Sequence, residues 1–243
     1  MTHQRDADAR AARQEAALRA RPAAAVIVFP GSNGDRDLYE TFARAGFAPS
    51  YHAASEPLPK GRFRVAGLPG GFANGDYWRA GMLARFSPAV QSLPDLVSAG
   101  GLVIGVCNGF QILVEAGLLP GALSYNDPPG FRHRWLTVRR QPSRPSPWLD
   151  GIPEGARFRV PMAHGEGNYY HPGGAGALEG SVPLVYEKNP NGSLANAAAL
   201  LDATGRILGV MPHPERASDP DLGSADGMAF FAAARKSLDG AMP

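Results

Sequence analysis

Leu102-Val103-Ile104-Gly105-Val106-Cys107-Asn108-Gly109 reads as an uninterrupted apolar strand entering a sharp corner, with a helix following over Phe110–Leu119. An apolar run without alternation describes a strand buried on both faces. The Gly-x-Cys-x-Gly pattern is that of a nucleophile elbow with Cys in place of Ser. A side chain at such a corner stands above the sheet on a strained backbone. Strand and helix crowd together there, so the residues two positions away must be nearly free of side chain. Gly105 and Gly109 meet that need. A helix opening near Asn108 points free N–H groups at the sulfur and favours the thiolate. The plainer alternative is a small buried core cysteine, and the flanking glycines weigh for the nucleophile.

Outward from this corner the chain repeats strand and helix. Ala24–Phe29 is a second apolar run, ending at Pro30-Gly31. After it, Leu38, Phe42 and Ala45 recur at helical spacing, with Asp35 and Asp37 in the first turn and Gly46 as a stop. Arg64–Pro69 is a short strand entering the turn Gly70-Gly71-Phe72, and a helix is expected around Ala89–Ala99. Such units predict an α/β fold with a parallel sheet. From Phe131 to Tyr186 the pattern shifts to short polar–apolar stretches such as Trp135–Val138 and Arg157–Val160, which predicts an added β-region. Strand signals return at Ala197–Leu201 and Ile207–Met211. A last helix over Gly227–Leu238 is expected to place Met228, Phe231 and Ala232 on one face. With no internal repeat or linker, residues 24–243 read as one domain. Residues 1–23 read as a flexible extension, or as an arm that docks on a partner.

Composition narrows the function. Of 243 residues, 44% are hydrophobic and 19% charged, which describes a globular chain. The net charge of +2 resides in residues 1–23, where five Arg face three acidic residues. The remainder is balanced, so neither a nucleic-acid nor an anionic-membrane surface is expected. A single cysteine excludes an intramolecular disulfide framework and a Cys-rich zinc site. No apolar run approaches the roughly 18 residues of a membrane helix, and the N-terminus lacks the apolar stretch of a secretory signal. The expected location is the cytoplasm.

A thiolate nucleophile needs a base, and the base an orienting group. Met211-Pro212-His213-Pro214-Glu215 offers both directly after a buried strand. Each Pro disfavours helix at the residue before it, so Met211 and His213 are expected to be extended. Residues i and i+2 of an extended segment share a face, which sets Glu215 beside His213. Gly70 and Gly71 can turn backbone N–H groups toward a developing oxyanion, or form an ordinary turn. His164, in Ala163-His164-Gly165-Glu166-Gly167-Asn168, is a second candidate base, weighted toward substrate or partner contact. Metal binding is not expected, since His52, His133, His164, His171 and His213 are scattered. The Gly-rich stretches match neither a Walker loop nor a dinucleotide fingerprint.

The order of a Gly-Gly turn, a Gly-x-Cys-x-Gly-x-Gln elbow and a late His-x-Glu resembles the class I (triad) glutamine amidotransferases. The blocks Ile27–Asn33, Leu68–Phe72 with Gly75-Asp76-Tyr77, Ala163–Tyr170, Asn189–Ser193 and Met211–Ala217 resemble one branch, over about residues 24–236. That branch is the glutaminase subunits of phosphoribosylformylglycinamidine synthase. The resemblance implies a three-layer, flavodoxin-like α/β fold: a mostly parallel sheet with helices on both faces and a small antiparallel β-region. It implies Cys107 as nucleophile, His213 as base and Glu215 as its orienting partner. Gly70, Gly71 and Asn108 would frame the oxyanion, and Gln111 would help hold glutamine. It also implies a large ATP- and Mg-dependent synthetase subunit and a small bridging subunit as partners, with no cofactor on this chain. A chain of this length resembles the separate-subunit form of that enzyme. Two alternatives stay open: an amidotransferase subunit for another ammonia acceptor, and a catalytically silent regulatory subunit.

Overall fold

The computed structural model describes residues 21–240. Its strands are β1 (Ala23–Val28), β2 (Ala48–Ala53), β3 (Val65–Leu68), β4 (Leu102–Val106), β5 (Ala122–Ser124), β6 (Arg132–Arg140), β7 (Arg157–His164), β8 (Asn168–Tyr170), β9 (Leu184–Tyr186), β10 (Ala199–Leu201) and β11 (Ile207–Val210). Its α-helices are α1 (Asp35–Arg44), α2 (Pro88–Gln91), α3 (Leu93–Ser98), α4 (Asn108–Glu115) and α5 (Met228–Gly240). Six strands form the main sheet in the order β10-β11-β4-β3-β1-β2. All its neighbours are parallel except β10 and β11. The added β-region is antiparallel: β7-β6-β9 form one sheet and β5-β8 a pair.

Register shows how the layers stack. Leu68, Gly105 and Gly209 lie in one row across β3, β4 and β11. A Cβ built on Gly105 would collide with Leu113, and one on Gly209 with Phe110 and Leu119. Helix α4 therefore covers that face. Gly67 precedes Leu68 and so faces the other side. A Cβ there would stand 2.7 Å from Leu38 and from Phe42 of α1. The sheet thus lies between helices, and its glycines let each helix approach closely. On the α1 side, Phe231 of α5 meets Phe42 and Trp148 edge-on, with ring centroids 5.5 and 6.3 Å apart.

Several expectations need correction. Ala232 is exposed, whereas Phe231 is buried as expected and Met228 packs partly buried against the core; α5 also buries Phe230, Ala233, Ala234 and Leu238. The helix expected over Ala89–Ala99 is split into α2 and α3 at Ser92, with Pro94 in the first turn of the second. Helix α4 starts at Asn108 and stops at Glu115, short of Leu119, before Gly117 at φ +71°. Strands β2 and β5 were not anticipated. Strand β1 starts at Ala23, whose register partner is Ala48. The extension expected at residues 1–23 lies, as far as residue 20, outside the described residues. Among the described residues, no helix is long and apolar enough to cross a membrane.

Candidate active site

Strands β3, β4 and β11 are adjacent and parallel, so their carboxyl ends deliver three segments to one edge of the sheet. These are Gly70-Gly71 after β3, Cys107 after β4 and Met211–Glu215 after β11. Cys107 takes φ +50° and ψ −105°, a costly conformation for a residue with a Cβ. Its N–H donates to the Val210 carbonyl at 2.8 Å, which ties the corner to the end of β11. The elbow's glycines are needed for space: a Cβ on Gly109 would strike Leu68 of β3, 2.8 Å from its Cβ.

His213 is anchored by its N–H, which donates to Pro161 of β7 at 2.8 Å. Its Nδ1 lies 2.6 Å from Glu215 Oε1, and both side chains are almost wholly buried. The route to this pair differs from the expectation. Pro214–Ala217 forms a 3-10 turn with His213 as its N-cap, so Glu215 reaches the ring by a tight turn rather than along an extended segment. The Glu215 carbonyl accepts from Thr41 of α1 at 3.0 Å and from Ser218 at 2.9 Å. Nε2 of His213 is buried and has no hydrogen-bond partner among the described residues. Burial alone would lower the His213 pKa. The charges of Glu215 and of the Cys107 sulfur outweigh it and raise the pKa to about 10.

Gly70 supplies room where Cys107 and His213 meet. A Cβ there would stand 2.9 Å from His213 Cε1 and 3.6 Å from Cys107 Cβ. Gly71, at φ +153°, faces Ser32 in an isolated bridge. That bridge is closed by Phe72 N–H donating to Gly31 and Asn33 N–H donating to Gly70. The Gly71 N–H stays outside the pairing. Asn108 opens α4, where N–H groups have no intrahelical acceptor. Its side chain accepts from the Ala73 N–H at 2.9 Å and donates to Asp76 at 3.2 Å and Gln111 at 3.0 Å. Gln111 in turn donates to the Glu166 carbonyl at 2.6 Å.

Gly71, Cys107, Gln111 and His213 line one cavity of about 200 Å³, joined there by His164 and by residues the sequence reading gave no role: Asp76, Glu166 and Arg216. His164 is buried, with Nδ1 3.0 Å from Asn126 Oδ1. Burial first, then the charges of His213 and Arg132, lowers its pKa to about 3, so it is a poor base. Arg216 lies 3.0 Å from Asp37 and 3.7 Å from Glu215. Asp76 and Glu166 stand inside motifs visible in the sequence, but only the fold shows that their loops meet. Among the described residues, no group of three or more His, Cys, Asp or Glu converges on a point suited to a metal ion.

A sulfur at an elbow, a buried imidazole and N–H groups at one sheet edge form a set of groups that can support acyl transfer through a thiol. Comparison with known proteins gives the class: residues 21–179 and 175–225 match the CobB/CobQ-like glutamine amidotransferase domain. The phosphoribosylformylglycinamidine synthase subunit PurQ of Jannaschia sp. is 45% identical over 222 residues, covering 88% of this chain and 98% of that protein. The subunit PurQ of Moorella thermoacetica is 42% identical over 225 residues, covering 85% and 92%. In the structure of PurLQS from Thermotoga maritima, one chain aligns at a TM-score of 0.81 with 36% identity, covering 90% of this chain and 99% of that one. The chain belongs to the glutamine amidotransferase family and, within it, to the phosphoribosylformylglycinamidine synthase PurQ subunits.

Proposed function

We propose that this chain is the glutaminase subunit of phosphoribosylformylglycinamidine synthase and that Cys107, His213 and Glu215 carry its chemistry. The observation that carries this reading is the His213–Glu215 pair, 2.6 Å apart and buried beside the elbow cysteine. The Cys107 proton passes to His213 Nε2, and Sγ attacks the side-chain amide carbon of glutamine. Backbone N–H groups of Gly71 and Asn108 receive the oxyanion, and the imidazolium protonates the departing ammonia. Glu215 keeps the ring oriented and stabilises its charge. Water then attacks the γ-glutamyl thioester with His213 as base, releasing glutamate and restoring the thiol. Residues 24–243 act as one amidotransferase domain in the cytoplasm. The ammonia passes to a large synthetase subunit, which uses ATP to aminate formylglycinamide ribonucleotide, and a small subunit bridges the two.

The test is glutamine-to-glutamate turnover by wild type and Cys107→Ala, with and without the synthetase and bridging subunits, ATP and formylglycinamide ribonucleotide. Turnover that rises with the partners and vanishes in Cys107→Ala is expected. A wild type silent toward glutamine, in a complex that works with added ammonia, overturns the reading.

A further inference from the structure

Two carboxylates in the cavity have no part in the chemistry just described. Asp76 comes from the turn after β3 and Glu166 from the loop after β7, and both line the cavity that holds Cys107 and His213. Neither carboxylate forms an ion pair among the described residues. Both loops are fastened to the elbow: Asn108 donates to Asp76 and Gln111, and Gln111 to the Glu166 carbonyl. Burial, and then the charge of Glu166, pushes the Asp76 carboxyl up to about 6. Two like charges at one small cavity oppose each other unless a cation joins them.

Separate observations mark the cavity as a place for a ligand. His213 and His164 are only 2% and 3% exposed, and Nε2 of each has no hydrogen-bond partner among the described residues. Both rings line the same cavity as the two carboxylates. A ligand reaching Cys107 therefore meets His213 and His164 and, in the same cavity, two carboxylates. We propose that Asp76 and Glu166 receive the α-ammonium of glutamine and so restrict the site to amides of α-amino acids. This rests on the glutaminase reading above. An ammonium between them is held by charge-assisted hydrogen bonds. A γ-amide without the α-amino group leaves both carboxylates unpaired in a partly desolvated site, and such sites discriminate strongly.

The experiment compares glutamine with 4-carbamoylbutanoate, which is glutamine without its α-amino group, in the assembled complex. The readout is the ratio of kcat/KM for the two amides. For wild type a ratio of about 100 or more is expected, and in Asp76→Asn it should fall at least tenfold. Asn tolerates the φ of +51° at this position and retains an acceptor for Asn108. Glu166→Gln should lower the ratio in the same direction. Equal use of both amides by wild type overturns the proposal without any variant. A ratio unchanged in both variants also overturns it, even where KM rises, because that is a structural effect. Failure of the glutaminase reading looks different: wild type turns over neither amide, or Cys107→Ala turns over both.

Discussion

Gly70→Ala tests the contact on which the proposed chemistry depends. Gly70 does not lie in the left-handed region, so its backbone accepts alanine without conformational strain. The added methyl would sit 2.9 Å from His213 Cε1, 3.5 Å from Nδ1 and 3.6 Å from Cys107 Cβ. Carbon atoms rest about 3.5 to 4.0 Å apart, so the methyl and the ring overlap by about 0.6 Å or more. The ring cannot rotate away without losing its 2.6 Å contact with Glu215. The methyl is therefore a wedge at the junction of base and nucleophile. A displacement approaching 1 Å costs about 10²-fold in rate, or about 2.7 kcal/mol of barrier. The assay is kcat for glutamine hydrolysis in the assembled complex, with ammonia-driven synthesis as a check on the partner. Gly176→Ala is the control, since a Cβ there meets nothing within 4 Å. A Gly70→Ala enzyme within threefold of wild type would refute the reasoning: the ring would then move freely, or the Cys107–His213 geometry would not limit the rate.

Glu215→Gln should lower kcat about 10²- to 10³-fold and bring the His213 pKa down, read by glutaminase kinetics and by NMR of the imidazole nitrogens. In Cys107→Ala the same signal should titrate lower than in wild type, because the sulfur's charge is one cause of the rise. His164 has a folded pKa of about 3 against 6.5 unfolded, so the unfolded chain takes up its proton first as pH falls. The His164 contribution to stability is full above about pH 6.5 and is lost toward pH 3; between pH 7 and 5 it amounts to about 2 kcal/mol. Urea unfolding of His164→Gln at both pH values should lack that part of the acid dependence. Asn108→Ala removes three hydrogen bonds, two buried and one partly buried, and should cost about 2 kcal/mol in denaturant unfolding, with a raised KM for glutamine.

What the sequence disclosed follows the range of the forces involved. Strand β4 was legible to the residue because five consecutive buried positions leave no alternative period. Strand β2 was not: Ala48-Pro49-Ser50-Tyr51-His52-Ala53 sits at the sheet edge, partly exposed, with a proline and no apolar run. The sequence does not show which side of α5 Ala232 takes, because alanine carries no polarity to choose one. Burial there is decided by where Phe42 and Trp148 stand, far away in the chain.

The site divides in the same way. Cys107 and His213 were legible because each needs local devices, flanking glycines in one case and flanking prolines in the other. The geometry joining His213 to Glu215 was not, since the tight turn is braced by Thr41, 174 residues away from Glu215. Asp76 and Glu166 lie at the far end of this scale. Nothing near either residue in the sequence marks it as a ligand-binding carboxylate, and they become a pair only when β3 and β7 end beside the same helix. The side chain that gathers their loops belongs to Asn108, whose own N–H is proposed to receive the oxyanion. One residue then fixes both the place where charge develops and, through Gln111, the place where the substrate's cation is read. A displacement of either loop should therefore be felt in kcat as well as in KM, whereas a loss of charge alone at Asp76 should fall mainly on the discrimination between the two amides.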